Sequence, residues 1–287
     1  MTDSSPQSSF LPTVAVLGCG WLGLPLAKAL VAQGYTVAGS TTTPSQLLTL
    51  RDAGIMPFLL SLAPTLTATD ADTLHAMLTG IDVLILNVPP RRSATSHDYA
   101  ALLRPVHEAA EACGISAVLF VSSTSIYPDE PRPMQEQDAL ATAEASSSIL
   151  RAEALFTSPN GSWITTVVRL GGLFGPGRLP GRFLAGKQNV AQPKAPVNLI
   201  HLADCVGLLT SIIDQHVWGH TFNACAAQHP TREEFYTLAA HQLGLSPPAF
   251  QTADKAGGKS IDSSLLRQSV DYRFQYDDLL AALQVSS

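Results

Sequence analysis

The stretch GCGWLG, residues 18–23, has the glycine spacing GxGxxG. It follows the apolar run TVAVL and opens an amphipathic stretch. In that context the first glycine can make a tight turn, the second lets the backbone approach a pyrophosphate, and the third lets helix and strand pack closely. The free N–H groups of the helix N-terminus would hold the pyrophosphate. We therefore predict a dinucleotide site on Gly18, Gly20, Trp21, Leu22 and Gly23, with a plain turn between strand and helix as the alternative.

The second apolar run, YTVAGS, ends without an acidic residue. Dinucleotide-binding sheets usually place an Asp or Glu there to hold the ribose 2′-hydroxyl of NAD, and such a carboxylate repels a 2′-phosphate. Here the run continues into Ser40, Thr41 and Thr42, whose hydroxyls can donate hydrogen bonds to phosphate oxygens. We therefore expect NADP rather than NAD. The alternative is that Ser40 and Thr42 cap a helix starting near Pro44. Val88, after the fourth apolar run, completes the predicted cofactor contacts.

Basic side chains stand beside the predicted ligand positions, although the chain is acidic. Two of them follow the fourth apolar run, DVLILNVPP, and three lie in a long Gly/Pro-rich loop. A guanidinium fork suits phosphate or carboxylate, so we predict a small phosphorylated, nucleotide-linked or carboxylated substrate. The three cations of the loop could instead hold the cofactor phosphates, and solvated loop charges are the remaining alternative. The predicted substrate-binding residues of this kind are Arg91, Arg92, Arg178, Arg182 and Lys187.

The elements that must position these residues alternate between short apolar runs rich in β-formers and longer helical stretches, from Thr13 to Leu170. This alternation predicts an α/β fold, a Rossmann-type doubly wound parallel sheet with helices on both faces. We expect a disordered tail over residues 1–12 and a Rossmann domain over 13–170. A smaller substrate-binding or lid portion, interleaved with the sheet, is expected over 171–287.

Further motifs follow the glycine loop in a fixed order. They are SSTSIY (122–127), VRLGGLFGPG (168–177), VNLIHLAD (197–204) and TFNAC (221–225). With these motifs the chain from Thr13 onward resembles the extended short-chain dehydrogenases/reductases, the NAD(P)-dependent epimerases and dehydratases, and within them the atypical bacterial subgroup typified by YeeZ. The resemblance implies an NAD(P)-dependent oxidoreductase or epimerase and a homodimer.

Members of that family use a Ser or Thr, a Tyr and a Lys together, and the lysine lowers the pKa of the tyrosine so that its phenol can move a proton. The resemblance assigns the serine to Ser123, with Thr124 beside it. The tyrosine and lysine positions become Ala145 and Ile149, on a helix predicted over 141–156. The sequence has no lysine between Lys28 and Lys187 and no tyrosine between Tyr127 and Tyr236, so a shifted alignment does not restore the pair.

Any chemistry therefore needs another proton carrier. The candidates are Tyr127 itself, Ser123 or Thr124 through water, and His201, which we also predict to be a substrate-binding residue. Each has a structural alternative: Tyr127 as a packing residue, Ser123 as a cap of its strand, and His201 as a residue preceding Asp204, itself a plausible helix N-cap.

Composition narrows the function classes. Seventeen basic and 23 acidic residues give a net charge of −6, which disfavours binding to nucleic acid or to an anionic membrane. The four cysteines are widely spaced, so we expect reduced thiols and no metal site, and we expect a cytoplasmic protein. The leading hypothesis is an NADP-dependent oxidoreductase or epimerase-like enzyme. The alternatives are a non-catalytic NADP(H) sensor or regulator and a substrate-binding remnant without cofactor affinity.

Overall fold

Seven parallel strands form the central sheet of the protein, in the order β3-β2-β1-β4-β5-β7-β10. The structure is a computed structural model and describes residues 11–90, 98–158, 161–252 and 257–285. Two short parallel pairs, β6 with β11 and β8 with β9, lie outside the sheet. The strands are β1 (Val14–Leu17), β2 (Val37–Thr41), β3 (Met56–Leu59), β4 (Val83–Leu86), β5 (Ala117–Ser123), β6 (Pro133–Met134), β7 (Ile164–Leu170), β8 (Gly172–Phe174), β9 (Leu199–His201), β10 (Thr221–Ala224) and β11 (Ser260–Ile261).

Helices cover both faces of this sheet, which confirms the predicted fold class. One apolar core joins α1, α2 and α7 to the sheet, and a second joins α3, α4 and α5 to its other face. No helix in the described ranges is both long and apolar enough to span a membrane. The helices are α1 (Gly23–Ala32), α2 (Gln46–Asp52), α3 (Ala68–Leu78), α4 (Tyr99–Cys113), α5 (Ser148–Phe156), α6 (Gly181–Leu184), α7 (Leu202–Asp214), α8 (Arg232–Gln242), α9 (Ser264–Ser269) and α10 (Leu279–Val285).

The central strands are buried on both faces, which is why β1 and β4 read as unbroken apolar runs. β1 pairs with β2 on one side and with β4 on the other. The chain order therefore reverses at β1, and the carboxyl ends of β1 and β4 flank the crevice where open α/β sheets bind ligands.

The part of the chain after residue 170 is interleaved with the sheet, since it contributes the edge strand β10. A third apolar core joins α8 and α10. The C-terminal segment is anchored by Asp204, which is completely buried and accepts from the Tyr272 hydroxyl at 3.0 Å and the backbone N–H groups of Gln275 and Tyr276 at 2.7 and 3.0 Å. Asp204 is thus not the N-cap of α7. His201 caps it, with Nδ1 accepting from Ala203 N–H.

The helix predicted over 141–156 is shorter than expected and begins at Ser148. Ahead of it, the Arg151 guanidinium donates to the carbonyl oxygens of Ala145 and Ser146 at 2.5 and 3.1 Å. Those carbonyls are bonded to a side chain instead of to helical N–H groups. Consecutive serines also favour such turns over helix interiors. The position expected to hold the family tyrosine therefore precedes the helix.

Candidate cofactor cleft

A cleft of about 720 Å³ lies at the carboxyl ends of the central strands. The glycine loop after β1, the residues after β2 and β4, the end of β5 and the residues after β7 line it. It therefore brings together the predicted cofactor loop and the predicted catalytic serine, Ser123. Gly23 is buried at the start of α1 and is not among the lining residues. The other predicted cofactor contacts all line the cleft: Gly18, Gly20, Trp21, Leu22, Ser40, Thr41, Thr42 and Val88.

The three glycines of the loop are needed for different reasons. Gly18 has φ +102°, and a β-carbon there would lie 2.7 Å from the Asn87 carbonyl oxygen. A β-carbon at Gly23 would run into the carbonyl oxygen of Gly18 and lie 2.7 Å from Asn87 Nδ2. Gly20 is exposed and would meet nothing within 4 Å. Packing inside the protein explains the first and third glycines, whereas the second leaves open space on the cleft side of the loop.

Side chains from neighbouring strands fix the loop. The Gly18 N–H donates to Ser40 Oγ at 2.9 Å, and the Cys19 N–H donates to the Ser40 carbonyl at 2.7 Å. Asn87 Nδ2 donates to the Gly18 carbonyl at 2.8 Å. Sequence reasoning missed Asn87, although a polar residue directly after the buried run of β4 is a signal for the ligand edge of a parallel sheet.

The end of β2 carries hydroxyl groups and no charge. Thr41 Oγ1 donates to Gln46 Oε1 at 2.9 Å and accepts from the Thr43 N–H at 3.1 Å. Thr42 and Thr43 are exposed where they line the cleft. Helix α2 begins at Gln46 after Ser45, so Ser40 and Thr42 do not cap it, contrary to the capping interpretation.

The wall after β4 is apolar and firmly packed. The Tyr99 hydroxyl donates to the Val88 carbonyl at 2.5 Å, and the Tyr99 ring meets Phe120 edge to face. Burial raises the pKa of the Tyr99 phenol well above its ordinary value. Tyr99 lines the cleft, but its hydroxyl and ring are engaged by Val88 and Phe120. Its phenol does not release a proton near neutral pH.

The end of β5 supplies the predicted serine. Ser123 is half-buried, and its Oγ donates to Ser125 Oγ at 2.9 Å and accepts from the Ser125 N–H at 3.1 Å. Ser123 thus caps the short 3-10 turn 124–126 as well as lining the cleft. Ile149, at the family's lysine position, also lines the cleft, whereas Ala145 packs in a separate apolar cluster.

Tyr127 and Thr124, the other predicted catalytic residues, are buried and do not line the cleft. The Tyr127 hydroxyl donates to Asn223 Oδ1 at 2.7 Å and accepts from Arg169 Nη1 at 2.8 Å. Burial raises the pKa of Tyr127, and the neighbouring Arg169 only partly opposes this rise. The structure therefore places Tyr127 as a packing and bonding residue behind the cleft wall.

A buried ion pair supports the same wall. Arg169 of β7 and Glu153 of α5 are 2% and 1% exposed and form two hydrogen bonds, of 2.7 and 3.2 Å. Ser122, the neighbour of Ser123, donates to Glu153 Oε1 at 2.5 Å. The pair thereby joins β5, α5 and β7 directly behind the predicted serine.

Of the predicted basic residues, Arg178 alone is shown to line the cleft. Arg182 and Lys187 are exposed and are not among its lining residues. The structure does not bring these two to the site, because α6 packs on α8 and the Lys187 carbonyl accepts from the Ala249 N–H, in the segment after α8. Arg91 and Arg92 lie outside the described residues.

His201, the last predicted substrate contact, is also not brought to the cleft. It is 5% exposed and is packed between the rings of Phe174 and Tyr276, with centroid distances of 5.0 and 3.7 Å. Burial lowers the pKa of its imidazole. Its position and its cap to α7 give it a structural role.

Among the described residues that line the cleft there is no Asp, Glu, His or Lys. Cys19 lines it too, but burial raises the pKa of its thiol to about 12. The described lining residues therefore offer backbone N–H groups, hydroxyls and the Arg178 guanidinium to an anion, and none of their side chains titrates near neutral pH. A dinucleotide fits this set: Gly20 and the start of α1 would hold its pyrophosphate, and Thr41–Thr43 would meet its adenosine ribose.

Comparisons with known proteins agree with this geometry. A family model described as NAD(P)H-binding matches residues 18–206. Protein YeeZ of Escherichia coli (strain K12) is 38% identical over 271 residues, which cover 93% of this chain and 97% of YeeZ. The chain belongs to the NAD(P)-binding short-chain dehydrogenase/reductase family, in its YeeZ-like branch.

Two solved structures show how far the fold of this short-chain dehydrogenase/reductase extends. A protein of Methylobacillus flagellatus described as an NAD-dependent epimerase/dehydratase superposes with a TM-score of 0.72 at 26% identity, over 96% of this chain and 98% of the other. MoeE5, solved in complex with UDP-glucose and NAD, gives a TM-score of 0.72 at 20% identity over 96% and 97% of the two chains. The whole described fold is therefore that of the family.

Proposed function

We propose that this protein binds NADP(H) in the cleft and acts as an oxidoreductase or epimerase-like enzyme on a small phosphorylated, nucleotide-linked or carboxylated substrate. The observation that carries the proposal is Gly20, whose missing side chain opens onto the cleft while its neighbours Gly18 and Gly23 are packed against protein atoms. MoeE5 was solved with UDP-glucose, which supports a nucleotide-linked substrate within the proposed class. We also propose a homodimer, from the family resemblance, which light scattering would test.

The preference for NADP over NAD rests on the end of β2. A carboxylate at this place would repel a 2′-phosphate, whereas Thr42 and Thr43 present exposed hydroxyl groups to the cleft. The side chains of Thr42 and Thr43 are exposed at the wall of the cleft, where a ligand can reach them.

When bound, the nicotinamide supplies or accepts a hydride. Ser123 Oγ is the hydroxyl at the end of β5 that can hydrogen-bond a substrate oxygen in the cleft. Ile149 cannot carry a proton, so the proton comes from solvent, and losing positioned acid–base help typically slows such reactions by about 10²- to 10⁴-fold. We therefore expect slow turnover, dependent on Ser123.

A second candidate is a non-catalytic NADP(H) sensor. The observation that favours it is the absence of Asp, Glu, His and Lys among the described lining residues, together with Ile149 at the lysine position. Such a cleft can bind the cofactor without using it.

A single set of assays separates the two candidates. Purified protein is mixed with NADPH and pools of phosphorylated, nucleotide-linked and carboxylated carbonyl compounds, and the absorbance of the reduced nicotinamide is followed. Ser123→Ala is compared with Ser116→Ala, an exposed serine that precedes β5 at the opposite end of the strand from Ser123 and is not among the lining residues. Hydride transfer that only Ser123→Ala abolishes supports the enzyme. Tight NADPH binding without transfer from any pool overturns the enzyme in favour of the sensor, and no binding at all overturns both.

A further inference from the structure

The turn after β8 lies against the glycine loop. It runs from Gly175 to Arg178 and is closed by two backbone hydrogen bonds, of 3.2 and 2.9 Å, between these two residues. Gly175 has φ +143° and Gly177 has φ +76°, values that side-chain-bearing residues rarely adopt. The sequence GPGR is therefore suited to this conformation.

Trp21, in the glycine loop, contacts the turn both through its indole N–H and through the face of its ring. Its indole Nε1 donates to the Pro176 carbonyl at 2.7 Å, across 155 positions of the chain. The Arg178 guanidinium carbon lies 4.3 Å from the centroid of the Trp21 ring. A cation held on an indole face at an exposed site contributes modestly to stability, so this contact positions Arg178 without binding it tightly.

Arg178 is the cation among the described lining residues, and it has no carboxylate partner among them. Trp21 directly follows Gly20, the position that is open to an external group. A guanidinium can stay stacked on an aromatic ring while its N–H groups, which lie in the plane of the group, bond phosphate oxygens. Arg178 therefore lies next to the place where the pyrophosphate would rest, and not only near the substrate end of the cleft.

We propose that Trp21 and Arg178 form a clasp over the cofactor's pyrophosphate. In this clasp Trp21 is a positioning residue that holds the turn 175–178, and Arg178 binds the diphosphate oxygens rather than the substrate or the 2′-phosphate. The inference rests on the proposed NADP(H) binding and assigns Arg178 to the pyrophosphate, where the sequence had left an anionic substrate and the cofactor phosphates open.

Binding titrations of three ligands test Arg178. NADPH, NADH and 2′,5′-ADP, which has no pyrophosphate, are titrated into wild type, Arg178→Gln and the control Arg104→Gln. Arg104 is exposed on α4 and away from the cleft. We expect Arg178→Gln to weaken NADPH and NADH alike, by about 10- to 100-fold, since a hydrogen bond between charged groups is lost. 2′,5′-ADP, whose 5′-phosphate is only the adenosine half of the pyrophosphate, should lose less affinity than either dinucleotide, and Arg104→Gln should match wild type.

The alternative results are distinct. Loss of NADPH affinity alone would assign Arg178 to the 2′-phosphate, and unchanged affinity for both dinucleotides would free it for the substrate. Either result overturns the clasp and leaves the proposed function standing. If wild type binds neither dinucleotide, both the proposed function and the proposed clasp are wrong.

A double-mutant cycle tests Trp21. Trp21→Leu removes both the N–H donor and the ring, and Trp21→Phe removes only the donor. We expect a several-fold loss of NADPH affinity in Trp21→Leu, a smaller loss in Trp21→Phe, and no further loss from Trp21→Leu when Arg178 is already Gln, because coupled residues are not additive. An equal loss in both backgrounds would show that Trp21 does not act through Arg178. Thermal unfolding without ligand checks that each variant is folded.

Discussion

Gly20→Ala should separate binding from folding more cleanly than any other change in the loop. The added methyl group meets no protein atom within 4 Å, and φ of Gly20 is outside the left-handed region. The matched change Gly23→Ala places its methyl group against the Gly18 carbonyl and 2.7 Å from Asn87 Nδ2. One substitution therefore fills only the cleft, and the other is obstructed by the protein itself.

The two changes should have opposite effects on stability. Gly20→Ala should raise the free energy of unfolding by about 0.4–1 kcal/mol, because alanine restricts the unfolded chain. Gly23→Ala should lower it by about 1–3 kcal/mol or more, because the strand and helix must move apart. For NADPH, Gly20→Ala pushes the pyrophosphate away from the N–H groups. Hydrogen bonds to a charged group contribute about 1.5–3 kcal/mol, so the affinity should fall by about 10- to 100-fold.

The assay is urea unfolding without ligand, followed by titration of NADPH against the fluorescence of each folded variant. Gly20→Ala should unfold at or above the wild-type urea concentration and bind NADPH weakly. Wild-type affinity in Gly20→Ala would show that the pyrophosphate does not lie over this residue. A destabilised Gly20→Ala would show that Gly20 is needed by the fold and not by a ligand.

Further predictions concern the specificity, the buried pair, the pH dependence and a helix cap. Thr42→Asp should weaken NADPH roughly tenfold or more relative to NADH, because a carboxylate opposes the 2′-phosphate, and equal titration curves would contradict this. Glu153→Gln should lower the free energy of unfolding by about 3–5 kcal/mol by leaving Arg169 buried without its counter-charge, and a change under about 1 kcal/mol in urea unfolding would refute it. Burial lowers the pKa of His201 below its ordinary 6.5. The stability that the neutral imidazole contributes is therefore complete above pH 6.5 and is lost as the pH falls from 6.5 through the lowered pKa. His201→Asn should flatten that part of the unfolding free energy measured against pH, and an unchanged slope would show that the slope has another source. Thr231→Ala should remove the side-chain cap that accepts from the Glu234 N–H and lower stability by about 1 kcal/mol in the same assay.

The sheet and the glycine loop were predictable because their signals are local. Strands buried on both faces read as apolar runs, and the turn from β1 to α1 carries its glycines within six residues of sequence, 18–23. The missing carboxylate after β2 was equally readable. The cofactor end of the cleft therefore followed from the order of residues in single segments.

The catalytic end did not follow in this way, because contacts between distant segments decide it. Tyr127 lies four residues after Ser123, yet bonds to Asn223 and Arg169 turn it away from the cleft. Asp204 has the appearance of a helix cap, but its partners come from the C-terminal segment. A local sequence pattern does not show which distant residue a buried polar group will hydrogen-bond.

The loop after β7 shows the same limit. Three cations on one Gly/Pro-rich segment looked equivalent in sequence, but only Arg178 is held by Trp21 at the cleft. Arg182 follows α6 onto α8 and remains exposed. The contact with the Trp21 indole distinguishes Arg178 from Arg182, and Trp21 is 155 positions away in sequence from Pro176, whose carbonyl it binds.

Calorimetric titration of the purified protein with NADPH and with NADH tests most directly that this cleft is an NADP(H) site. We expect one binding site per chain, tighter binding of NADPH than of NADH, and weaker binding of both in Gly20→Ala. Failure of wild type to bind either dinucleotide, or tighter binding of NADH, would contradict the assignment of this cleft to NADP(H).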